Sequence, residues 1–345
     1  MKKERLFYLD FVRALAAIAI IVTHYNAIFL YSTPPITSCY VIDAHVFNIY
    51  IGSFGVSLFL IISGAALGYV YDGNINLKRF YWKRFKTLFP MFWLSYLVAF
   101  LWIYIYKGAW STTAVPKWHI IYSILGMDGY VAEVTSTFYI LGEWFLGFII
   151  IFYLIFPVVK KIMDQNPIGL IIIVMIIYIY LQFDYSFPLT SSKNIFVRLP
   201  ELLFGMYFVK YIKHVNWKVA LGSFGVLVFN QLAALGISEN IQTTYVGGAS
   251  FLLLVYVSGF MQKSNKIQLV CKWVSKYSYA IFLVHHVVIW YTMMTFNLYV
   301  ITPLESYLLF LGLCVVIVVL AKALFEINDK VELLIGKAFQ KLKCL

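Results

Sequence analysis

The 345-residue chain is 62% hydrophobic, 19% aromatic and only 12% charged, with a mean hydropathy of +0.84. An average soluble domain is about 45–50% apolar and about 25% charged, so these figures exclude a soluble fold, a disordered chain, collagen and a coiled coil. The net charge of +12 reflects 27 Lys and Arg against 15 Asp and Glu, and its distribution points to membrane topology rather than to a nucleic-acid partner.

Long unbroken apolar runs, such as LIIIVMIIYIYL at 170–181 and LLFLGLCVVIVVL at 308–320, argue for helices. They argue against a porin-type barrel, whose strands alternate polar and apolar residues. A membrane span needs about 20 mostly apolar residues. Ten stretches qualify: 6–30, 47–70, 88–106, 138–159, 168–183, 196–212, 217–235, 243–262, 277–297 and 303–325. The opening MKKERLFYLD has the basic start of a cleaved leader. However, Asp10, Arg13 and His24 interrupt the apolar run and no small-residue cleavage site follows, so it reads as a retained first span. The segment 117–125 is too short to cross and is expected at an interface. With no internal repeat, Pro-rich linker or low-complexity tract, residues 1–345 read as one transmembrane domain.

Loop charges set the direction. The termini and even-numbered loops hold 22 of the 27 Lys and Arg, the odd-numbered loops hold only Lys107, Lys117 and Lys193, and Arg13 and Arg198 lie within spans. By the positive-inside rule both termini are cytoplasmic. The expected fold class is an all-α polytopic protein of about ten helices, multi-pass in the cell membrane. Four cysteines, Cys39, Cys271, Cys314 and Cys344, lie far apart without C-x-x-C spacing. Neither a metal site nor a disulfide framework is expected.

Charges inside a span cost about 2.5–3.5 kcal/mol each at the helix centre, so they usually face a partner or a wet cavity. Asp10 and Arg13 are three residues apart and can pair on one helix face. His24 follows Arg13 by eleven residues, which is three turns plus about 20° and a rise of about 16 Å. One stripe thus carries a fixed cation on the cytoplasmic side and a titratable base nearer the outside. Histidine exchanges protons near neutral pH, as acyl transfer to a hydroxyl requires. The plainer alternative is a structural Asp10–Arg13 pair with His24 capping the helix near the interface.

Residues 8–25, YLDFVRALAAIAIIVTHY, resemble the first span of the acyltransferase-3 family of integral membrane acyltransferases, whose signature is an arginine, ten residues and a histidine. Here these are Arg13 and His24. Further segments resemble the family in the same order: GVSLFLIISG at 55–64, FYWKRFKTLFP at 80–90, EWFLGFIIIFYLIFP at 143–157, RLPELLFG at 198–205 and SYAIFLVH at 278–285. Where the family usually carries Arg-x-x-Arg, this chain has Arg84 followed by Thr87, leaving Lys83 and Lys86 as substitute point charges. Ser57 and His286 also depart from the pattern.

The resemblance implies transfer of an acyl group, most often acetyl, from cytoplasmic acyl-coenzyme A to a hydroxyl of a surface polysaccharide or its lipid-linked precursor. His24 then acts as general base, or carries a transient acyl group. Arg13 orients the donor or stabilises developing charge, and Asp10 holds Arg13. Coenzyme A carries phosphates that call for cations, and Arg84, with Lys83 and Lys86, stands at the cytoplasmic mouth of the third span. Plain positive-inside anchoring is the alternative for this cluster. Glu143 and Trp144 are candidates for binding and stacking on a sugar, against an interfacial aromatic belt. Arg198 can pair with Glu201 or meet substrate, and His285 can assist the site or be an ordinary buried histidine. The rival function from another class is a transporter or flippase for a polysaccharide or lipid-linked sugar. Its inverted repeats and paired broken helices are not seen in the sequence.

Overall fold

A computed structural model of the chain describes residues 3–107, 115–138, 140–141, 144–233 and 235–343. A helix occupies each of the ten predicted stretches. They are α1 (Phe7–Leu30), α2 (Ile51–Val70), α3 (Leu77–Lys107), α6 (Trp144–Gln165), α7 (Pro167–Phe183), α8 (Ile195–Tyr207), α9 (Trp217–Leu232), α10 (Glu239–Met261), α11 (Asn265–Met293) and α12 (Pro303–Lys343). Two short helices, α4 (Ile120–Ile124) and α5 (Asp128–Val131), lie between α3 and α6. Six of the helices, α1, α2, α3, α6, α10 and α12, are long and apolar enough to cross a membrane, and α7 is a shorter apolar helix. The protein is therefore an all-α membrane protein.

Several helices overrun their apolar windows. The third begins at Leu77 rather than 88, the ninth at Asn265 rather than 277, and the tenth continues to Lys343. Backbone hydrogen bonding does not stop where hydropathy falls, and Lys and Arg are good helix formers. Starts carry local caps: the side chains of Asn166, Asn194, Asn216 and Ser238 accept from the first-turn amides of α7, α8, α9 and α10. Pro90, Pro157 and Pro200 sit inside α3, α6 and α8. A single π turn, Phe208–Ile212, closes α8 and ends on Lys213 at φ 62°.

The helices group into two compact units. The first comprises Met1–Ile75 with Ile155–Ser278, the second Asn76–Leu154 with Tyr279–Leu345. In the first, α2 is the central element and meets α1, α8 and α10. Its closest approaches need residues without side chains. A Cβ at Gly64 would stand 1.9 Å from the Leu202 carbonyl oxygen of α8, and one at Gly205 of α8 would stand 1.9 Å from that of Ile61. This is the small-residue crossing expected where lipid gives helices no hydrophobic reason to associate. Around it Val12, Ala16, Leu58, Ile61, Ala65, Phe208 and Phe251 form a buried core.

In the second unit α12 packs on α3. The connection after α3 is tied down by polar contacts: the Trp93 indole donates to Ile124 O (2.9 Å), the Tyr96 hydroxyl to Ser123 Oγ (2.9 Å), and Ser123 to Asp128 Oδ2 (2.7 Å). Residues 117–125 form a 3₁₀ turn and α4, far short of a crossing. His119 is buried, with Nδ1 2.5 Å from Ser136 O.

Candidate active site

In the first unit, α1 carries three of the predicted site residues. Arg13 and His24 are both half-buried on α1, eleven residues and about 16 Å apart along its axis. Arg13 Nη1 donates to Ser275 Oγ of α11 at 2.7 Å. Asp10 is buried, but its partner is not Arg13. Arg5 grips it through Nε to Oδ2 (2.5 Å) and Nη2 to Oδ1 (3.0 Å), a bidentate fork of the stronger kind. Arg5 precedes the helix, across an extended Leu6 at φ −85°, ψ 106°, so its side chain folds back over the first turn. The expected Asp10–Arg13 pair is thereby replaced by Asp10–Arg5. The carboxylate in turn raises the Arg5 guanidinium pKa, chiefly through that hydrogen bond.

The face of α1 turned to α2 sets the depth of His24. Gly55 of α2 meets Ala19 and Ile20, and Gly52 leaves room only for a hydrogen beside Thr23 Cγ2 and the Tyr50 ring. The residue next to His24 is thus wedged between α2 and Tyr50, which precedes it.

Arg198 and Glu201 do pair, Nε to Oε2 at 2.8 Å, with side chains 2% and 0% exposed. Among the described residues, Arg198 Nε and Nη2 and both Glu201 carboxylate oxygens have no hydrogen-bond partner, so the contact is an ion pair without hydrogen-bond geometry. Ser57 of α2, which also reaches Thr243 O of α10, and Tyr178 of α7 surround the pair. This burial favours the structural role for Arg198 over contact with substrate.

The remaining candidates belong to the second unit. Arg84 is half-buried on α3, its guanidinium 5.9 Å from the Phe80 ring centroid and 5.4 Å from that of Tyr153, within cation–π range. Lys83 and Lys86 are exposed, and Lys86 lies 5.9 Å from the Trp82 ring. Thr87, in place of a second arginine, donates to Lys83 O within the helix (2.8 Å). Trp144 opens α6 half-buried, edge-on to Phe145 and Phe148 at 6.0 Å each. Glu143 lies outside the described residues. His285 is fully buried, its Nδ1 3.1 and 2.8 Å from the Ile281 and Phe282 carbonyls of its own helix. Two carbonyl acceptors place the proton on Nδ1 and leave Nε2 as the basic nitrogen.

An imidazole and a guanidinium at two depths of one helix suit a proton-transfer step beside an anionic donor, and a transporter can carry such charges equally well. The matching family model, described as an acyltransferase domain, decides between the two over residues 6–324. This chain belongs to the acyltransferase-3 family. It is therefore a membrane acyltransferase. Neither the curated proteins nor the solved structures include a match to it. Arg13 and His24, through which the sequence resembles the family, both lie within the matched residues. Sequence reasoning missed their surroundings: Ser275 and Arg5 are ordinary hydrogen-bonding residues, and no local pattern marks either as a partner.

Proposed function

We propose that this acyltransferase moves an acyl group, most often acetyl, from cytoplasmic acyl-coenzyme A to a hydroxyl of a cell-surface polysaccharide or lipid-linked glycan precursor. The reading rests on the placement of Arg13 and His24 on one helix of an acyltransferase. In it, ten helices cross the cell membrane as a single acyltransferase domain with both termini cytoplasmic, as the lysine and arginine distribution favours.

His24 takes the proton of the acceptor hydroxyl as the oxygen attacks the thioester carbonyl. The carbon–sulfur bond then breaks and the leaving sulfur receives the proton, so coenzyme A departs as the free thiol. A separation of about 16 Å is too great for Arg13 to reach the carbonyl served by His24. Arg13 therefore orients the donor from the cytoplasmic side, fixed by Ser275. Asp10 acts one step further back, by anchoring Arg5 over the first turn of α1. Arg84, braced between two aromatic rings, is the best placed cation of its cluster for a phosphate, with Lys83 and Lys86 adding charge. Trp144 and Glu143 remain candidate acceptor contacts, and His285 a candidate base in reserve.

The test is acetyl transfer from acetyl-coenzyme A to surface glycan by His24→Ala and Arg13→Ala variants at normal expression. Loss of a general base lowers rate by about 10²–10⁴-fold. Wild-type transfer in both variants would refute the assignment.

A further inference from the structure

The loops at the His24 end of the first unit are joined by polar contacts rather than lying loose. Asn26 of α1 donates to Ile42 O (2.7 Å) and accepts from Val41 N (3.0 Å). Asn48 donates to Gln231 O (3.1 Å), the Tyr50 amide donates to Glu239 Oε1 (3.1 Å), and Asn240 donates to Ser191 Oγ (2.8 Å). This fastening gathers three tyrosines and a carboxylate. Tyr31, which ends α1, is 79% exposed. Tyr50 lies near Tyr31, Tyr40 and Glu239. The Tyr40 hydroxyl oxygen is buried without a hydrogen-bond partner among the described residues. Tyr50 also flanks Thr23, the neighbour of His24.

The charge of this surface is one-sided. No Lys or Arg occurs between Arg13 and Lys78 or between Lys218 and Lys263. The three loops hold Asp43, Asp184 and Glu239 against Lys193, with His45 3.9 Å from Asp43. An exposed aromatic ring, phenol donors and carboxylate acceptors suit a polyhydroxylated ring: its C–H face stacks on the aromatic and its hydroxyls pair with the polar groups. Excess carboxylate repels an anionic sugar.

We propose that Tyr31, Tyr40, Tyr50 and Glu239 form the acceptor subsite beside His24, and that it selects an uncharged glycan over a uronate or phosphate-bearing one. This deepens the acyl-transfer reading and rests on it for the role of His24. The cluster lies within about two helical turns of His24, since Tyr31 follows it by seven residues, or roughly 10 Å. A reacting sugar beside His24 would thus have its neighbour in the chain held by the tyrosines.

The test uses the full-length protein in nanodiscs. Binding of a neutral gluco-oligosaccharide and of a galacturonate oligosaccharide of equal length is measured by saturation-transfer NMR. Coenzyme A release from acetyl-coenzyme A is followed separately, with and without the neutral sugar. The neutral oligosaccharide is expected to bind and the galacturonate to bind at least about tenfold more weakly. Tyr31→Ala and Tyr50→Phe should each weaken neutral-sugar binding roughly three- to tenfold. Binding of neither sugar, equal or tighter binding of the galacturonate, or unchanged binding in both variants overturns the proposal. Tyrosine-dependent binding without sugar-stimulated coenzyme A release keeps the subsite and refutes the acyl-transfer reading instead.

Discussion

Replacing Arg198 with Met leaves Glu201 buried without its cation. The two side chains are 2% and 0% exposed and 2.8 Å apart, in a helix flanked by α2, α7 and α10, so water cannot take over as partner. Removing one member of such a pair costs about 3–5 kcal/mol, whereas replacing both with apolar residues of similar volume is often neutral or stabilising. The missing partner at Arg198 Nη2 places the native pair among the imperfectly satisfied ones. Arg198→Met alone should lower the thermal midpoint of the detergent-solubilised protein by an amount on the order of 10 °C. Arg198→Met with Glu201→Met should recover most of that loss. The assay is a melting curve followed by size-exclusion chromatography, combined with acyl transfer by the double variant. A double variant no more stable than the single one would refute the structural reading of the pair. Wild-type stability with abolished transfer in the double variant would return Arg198 to the site.

Two further outcomes follow from packing and charge. Gly205→Ala puts a Cβ 1.9 Å from Ile61 O, whereas ordinary contact begins at 3.4 Å, so α2 and α8 must part by about 1.5 Å. Overpacking of this kind typically costs 1–3 kcal/mol, and a backbone obstacle belongs at or above the top of that range; folded yield after detergent extraction should fall sharply. Arg84→Lys keeps the charge but loses the planar fork and its stacking on Phe80 and Tyr153. It should raise KM for acetyl-coenzyme A about tenfold with kcat little changed, as steady-state transfer kinetics will show.

The membrane class, the position of each long helix and the family were legible in the sequence, because each depends on local composition or fixed spacing. Hydropathy over some twenty residues marks a span, and Arg13 with His24 holds its spacing whatever surrounds α1. Helix ends were less legible, since α3, α11 and α12 continue through basic, polar sequence that satisfies a helix backbone as well as an apolar run does. Pairing was legible only in part. Spacing allowed Asp10 to meet Arg13, yet Arg5 has it and Arg13 goes to Ser275, 262 residues away. The same spacing rule succeeded for Arg198 and Glu201, because both are sealed inside the unit and, among the described residues, no competing cation pairs with Glu201. Tyr31, Tyr40 and Tyr50 come from the two ends and the middle of one loop, and Tyr50 meets a carboxylate almost 190 residues further along the chain. Local spacing fixes which residues share a helix face; long-range packing decides which of their possible partners lies within reach.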